Sequence, residues 1–186
     1  MKKQLTITFG ILLMLSALSF AQNKQTIFPL ADGSIYAGDK EQNYGASNKL
    51  LVKRTANVMR HSFIKFDISQ IKPSFQSAKL KLHINNLSGT FQDSISMAVL
   101  QTLNNNWNEE NLNWMSSPKT DKTISNIYLT AKAGYTSIDL TAHIKSLLAK
   151  GEKEFSIRLS DPKSTGVMIE IASKEDNKNK PFLEIQ

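Results

Sequence analysis

Alternation with a period of two constrains this chain more than any other feature. Ser62-Phe63-Ile64-Lys65-Phe66-Asp67-Ile68 puts Ile64, Phe66 and Ile68 on one side and Phe63, Lys65 and Asp67 on the other. Lys79-Leu80-Lys81-Leu82-His83-Ile84 alternates still more cleanly. Successive side chains of a strand point to opposite faces, so such segments form strands with one buried and one wet face. Further strands are expected at Ser34–Ala37, Leu50–Lys53, Ser94–Gln101, Gly134–Asp139, Phe155–Ser160, Met168–Ala172 and Phe182–Ile185. Ser88-Gly89, Asp161-Pro162, Thr165-Gly166 and the polar run Lys174–Lys180 supply turns between them. Ala142–Lys150 is the exception. Ile144, Leu147 and Leu148 share one helical face, Asp139 or Thr141 can cap the start, and Gly151 can end it. Short strands at regular spacing with one short helix predict an all-β sandwich.

The N-terminus reads as an export signal. Met1-Lys2-Lys3 is followed by an uncharged stretch from Leu5 to Phe20, then Ser19-Phe20-Ala21, a small-x-small cleavage site. Sixteen residues from Leu5 to Phe20 fall short of the roughly 20 that span a bilayer. No cysteine exists to carry a lipid anchor. A signal peptide over 1–21 and a single domain over 22–186 are expected, placing the protein in the periplasm or outside the cell. No membrane association is expected after cleavage. The absence of cysteine also excludes disulfides and thiolate chemistry, so the exported domain must be stabilised by its core, with an oxygen-ligated ion as the one further aid left open. Losing Lys2 and Lys3 lowers the formal charge from +7 to +5. That excess favours acidic polymers, and export makes nucleic acid a poor candidate.

The only two tryptophans, Trp107 and Trp114, bracket a polar loop that ends at Pro118. Both read as buried anchors for that loop, since large aromatics are mostly buried. The alternative is an exposed platform for a sugar ring. For that role Phe63 and the tyrosines read as the better placed aromatics.

The order of pieces is distinctive. Ala31-Asp32 precedes Asn43-Tyr44-Gly45, Leu51-Val52-Lys53, Phe63–Ser69 and Ala78–Leu82. The tryptophan loop, Ile138-Asp139-Leu140-Thr141, Ala172-Ser173-Lys174-Glu175 and a strand after Pro181 follow. Across the mature chain this order resembles carbohydrate-binding module family 96, the DNRLRE-type domain. The resemblance implies a β-sandwich of jelly-roll type and a module that binds acidic polysaccharides such as alginate. Such modules usually accompany a catalytic domain, and none is expected here.

Lysine or arginine at alternate positions on half-buried strands would project from the wet face. The resemblance puts Lys53, Arg60, Lys65, Lys81 and Arg158 at positions suited to carbohydrate binding, with Lys174 a sixth. Arginine can grip a uronate carboxylate through two parallel hydrogen bonds. The same pattern also fits an ordinary solvated sheet surface.

No catalytic residues are assigned. Glu109, Glu110, Asp139, Glu170 and Glu175 each have a local explanation, and a glycosidase needs two carboxyls at a set separation. A jelly-roll polysaccharide lyase is the nearer enzymatic alternative, but His61, His83 and His143 fall in no lyase pattern. Their spacing also argues against zinc. No cofactor is required. A structural calcium stays open, with Asp32 and Glu175 as its first candidates. A structural or adhesion module is the remaining alternative.

Overall fold

The computed structural model describes residues 24–186; the expected leader lies outside the described residues. Eleven strands and one helix follow in order: β1 (Gln25–Ile27), β2 (Ala31–Tyr36), β3 (Lys49–Arg54), β4 (Met59–Asp67), β5 (Ala78–Ser88) and β6 (Ile95–Thr102). Then come β7 (Thr120–Leu129), β8 (Gly134–Asp139), α1 (Thr141–Ala149), β9 (Glu154–Ser160), β10 (Met168–Ala172) and β11 (Phe182–Ile185). Every strand expected from alternation is present, and the fold is an all-β sandwich of antiparallel pairs.

In the first sheet β5 is central. β8 runs along one edge, while β11 and β10 share the other, and β1 and β3 extend them. In the second, β4 is flanked by β2 and β9, and β6 and β7 follow β9. β3 joins the two sheets through Lys53 opposite Arg60 and Arg54 opposite Met59. Between the sheets, Leu80, Leu82 and Ile84 of β5 meet Ile64 and Phe66 of β4 and Phe155, Ile157 and Leu159 of β9. Phe66 and Phe155 stack with ring centroids 5.5 Å apart.

β7 lacks clean alternation for a local reason. Val99 pairs with Ser125 and the next residue, Leu100, with Thr123, so Ile124 is an extra residue on β7. That bulge lets Ile124, Ile127 and Leu129 all reach the core, although their spacing breaks the period. The helix also departs from expectation at its start. Asp139 accepts the Thr141 N–H at 2.8 Å, while the Thr141 hydroxyl instead accepts the Ala78 N–H at 2.9 Å. Gly151, at φ +77, ends the helix as expected.

The outer face of the second sheet is not wet. Ala31, Ile35, Phe63, Trp107 and Leu112 form a second apolar cluster there, with Trp114 packed against it. The tryptophan loop is therefore a third layer. Asn43 clamps it, donating to the carbonyls of Glu109 at 2.7 Å and Leu112 at 2.8 Å. A Cβ at Gly45 would run into the Glu109 carbonyl, which explains the glycine in Asn43-Tyr44-Gly45.

Candidate functional site

Strand register decides which charged side chains can act together. On the second sheet, Phe63 faces Arg158 and Lys65 faces Ser156 across the β4–β9 pair, and all four belong to the outer face. Arg54 and Met59 lie on that side at the β3–β4 end, whereas Lys53 and Arg60 point the other way. Arg60 places its guanidinium 3.9 Å from the Tyr36 ring centroid and 5.7 Å from that of Tyr44. Lys81 belongs to the first sheet, 3.9 Å from Glu184. Lys174 lies in the β10–β11 connection, paired with Glu109 at 2.9 Å and Glu175 at 2.7 Å.

The six expected residues do not form one stripe. Only Lys65 and Arg158 lie on the outer face of the second sheet, where Lys65 is committed elsewhere, while Lys53 and Arg60 share a different face. Its ammonium donates to the Trp107 carbonyl at 2.5 Å and the Asn105 carbonyl at 3.3 Å, with the side chain 12% exposed. It pins the loop. Lys65→Met should therefore lower stability by about 1–3 kcal/mol, the cost of leaving part-buried carbonyls unpaired, measured by urea unfolding. An unchanged midpoint would contradict this role.

Phe63 is fully buried, so it offers no platform. Trp107 is buried, and its Nε1 donates to Ser156 Oγ at 3.0 Å. Trp114 departs from the expected burial: it is half-buried and stacks on His61, with centroids 5.7 Å apart and planes 17° from parallel.

Beside Trp114 an open groove of about 640 Å³ runs over the outer face of the second sheet. Ala98 and Leu100 line its floor, Arg54, Lys119 and Arg158 bring positive charge, and Trp114 forms part of its wall. Among the described residues, neither Arg54 nor Arg158 has a carboxylate partner. Arg158 Nε is buried with no hydrogen-bond partner. Burial, then the nearby charge of Arg54, lowers the Arg158 pKa. Asp161 also lines the groove, but its oxygens accept the N–H groups of Lys163 and Thr165 and the Thr165 hydroxyl. Arg54 and Lys119 are the residues that sequence reasoning missed. A strand ending at Lys53 leaves Arg54 in a loop, and Lys119 precedes a strand with no clean period.

His61 lines the same groove, beneath Trp114. Burial, followed by the charges of Arg158 and Arg54, holds its pKa down to about 4 from 6.5. Its Nδ1 lies 3.0 Å from Ser160 Oγ. Between pH 6.5 and 4 the unfolded chain takes up a proton that the folded chain refuses. Stability is complete above that window and falls as the pH drops through it, by at most about 3 kcal/mol. His61→Gln should flatten this slope in denaturant titrations from pH 7 to 4; parallel slopes would contradict the assignment.

A second surface lies on the outer face of the first sheet. Phe28 (56% exposed), Tyr135 (48%) and Phe182 form an edge-to-face chain there. Lys178 and Lys180 line the same groove of about 740 Å³.

The family model for carbohydrate-binding module family 96 matches residues 23–186. No curated protein matches the chain.

Proposed function

The chain belongs to carbohydrate-binding module family 96, and from that premise we propose that it is an exported, non-catalytic module for an acidic, alginate-like polysaccharide. The polymer lies in the groove over the outer face of the second sheet. The observation that carries this is the pair of arginines, Arg54 and Arg158, facing one groove without carboxylate partners among the described residues. A partly buried guanidinium (Arg158) beside an exposed one (Arg54), neither with an internal anion, is suited to external carboxylates, which uronic acid polymers repeat along their length. Trp114 offers an aromatic surface to a pyranose ring, and Lys119 extends the charge. The leader over Met1–Ala21 supports export to the periplasm or beyond.

Elimination chemistry would need a base facing the substrate. His61 lines the groove but is only 6% exposed, being stacked against Trp114 and hydrogen-bonded to Ser160. No tyrosine lines the groove. This supports binding without catalysis.

Affinity electrophoresis against alginate, polygalacturonate and neutral glucans at two salt concentrations tests the proposal. Alginate should retard the protein, the retardation should weaken steeply with salt, and neutral glucans should have no effect. Absence of retardation by every glycan would favour an adhesion role and sink this reading. Ultraviolet absorbance from new unsaturated ends would instead mark a lyase. A second location for the same ligand is favoured by the exposed Phe28–Tyr135–Phe182 chain. Tyr135→Ala would then abolish retention.

A further inference from the structure

Asp32 of β2, Glu109 of the tryptophan loop and Glu175 of the β10–β11 connection come from three separate segments. One carboxylate oxygen of each lies within 4.8 Å of the others. Asp32 is fully buried. Its Oδ2 accepts the Lys174 N–H at 2.7 Å, while Oδ1 is buried with no partner and is the oxygen left for the cluster. The other two carboxylates are held from behind. Glu109 Oε1 accepts the Asp32 N–H at 3.1 Å, and Glu175 Oε2 lies 3.1 Å from Ser173 Oγ. Glu109 Oε2 and Glu175 Oε1 both face the Lys174 ammonium.

With all three carboxylates ionised, one ammonium would leave an excess of negative charge around the buried Asp32 Oδ1, and an uncompensated buried charge is costly. An ammonium supplies donors to two of the carboxylates and leaves Asp32 Oδ1 without one. A single hard divalent ion would meet all three.

We propose that Asp32, Glu109 and Glu175 form a calcium site in which the metal and the Lys174 ammonium compete for the same carboxylates. Calcium suits the donor set because it takes carboxylate oxygens in flexible geometry at about 2.3–2.6 Å, with water completing its shell. Magnesium demands a stricter octahedron and gives up its water reluctantly. A bound ion would tie β2, the tryptophan loop and the β10–β11 connection together, and would displace Lys174 toward the Phe28–Phe182 groove that it also lines.

The test involves no glycan, so this site and the polysaccharide groove can fail separately. Thermal unfolding of the whole protein is followed in EDTA, in calcium and in magnesium. The ions are used at about 10 mM, above the millimolar affinities of extracellular calcium modules. Calcium should raise Tm by about 5 °C or more, and magnesium by much less. Lys174→Met should unfold earlier than wild type in EDTA and gain more from calcium, because the competing ammonium is gone. Asp32→Asn should lose the response, and Glu175→Gln serves the same purpose if Asp32→Asn does not fold. A Tm that calcium leaves unmoved in both wild type and Lys174→Met overturns the site. So does an equal shift from magnesium, or a full response in the carboxylate variants.

Discussion

Trp107→Ala should destabilise the protein by about 3–5 kcal/mol, the range for truncating a buried aromatic. Three contacts converge on this one side chain. Its ring packs edge-to-face on Phe63 at 6.0 Å, its Nε1 donates to Ser156 Oγ, and the Lys65 ammonium lies 5.2 Å from its centroid. Ser156 Oγ in turn lies 2.8 Å from Asn105 Oδ1, so losing the indole loosens both ends of the loop's first turn. At about 2–4 °C per kcal/mol for a domain of this size, Tm should fall by roughly 10 °C. Trp114→Ala should cost much less, because that ring is only half-buried. Urea unfolding of both variants decides the matter. A midpoint for Trp107→Ala within about 1 kcal/mol of wild type would mean that the loop is not an anchored third layer.

That third layer is where sequence reading stops short. Alternation reports that Ile64 and Phe66 face one way and Phe63 and Lys65 the other, and the sandwich follows from the first set. It does not report whether the second face meets water or a loop. The clue was available in Phe63, a large apolar residue on the side assigned to solvent, and in Gly33 beneath the loop. A Cβ at Gly33 would stand 3.1 Å from Leu112. Lys65 illustrates the cost of missing the cover, since a lysine on a wet strand and a lysine pinned under a loop look alike in sequence. Register is the other hidden quantity. Lys53 and Arg54 are neighbours in sequence, yet their side chains leave β3 on opposite sides. Only the pairing of Arg54 with Met59 shows which one joins the groove. Proximity is hidden in the same way: the fold places carboxylate oxygens of Asp32, Glu109 and Glu175 within 4.8 Å of one another, and alternation says nothing of Glu109's place there.

Arg54→Ala combined with Arg158→Ala should weaken acidic polysaccharide binding by about 100-fold or more. Each guanidinium that grips a carboxylate contributes a charge-assisted hydrogen bond of about 1.5–3 kcal/mol, and two lost together account for that factor. Stability should change little, because neither arginine is paired with a carboxylate and Arg158 Nε has no partner to lose. Lys81→Ala, on the other sheet, should bind as wild type does. The double variant also carries an internal control. Burial is the larger cause of the low His61 pKa, and it persists, but the charges of Arg158 and Arg54 also press it down. Removing them should let the His61 pKa rise part of the way toward its ordinary value, which NMR titration can follow. If that pKa rises while retention on alginate is undiminished, the arginines are placed as described but the polymer binds elsewhere. The exposed aromatic chain of the first sheet then becomes the surface to probe.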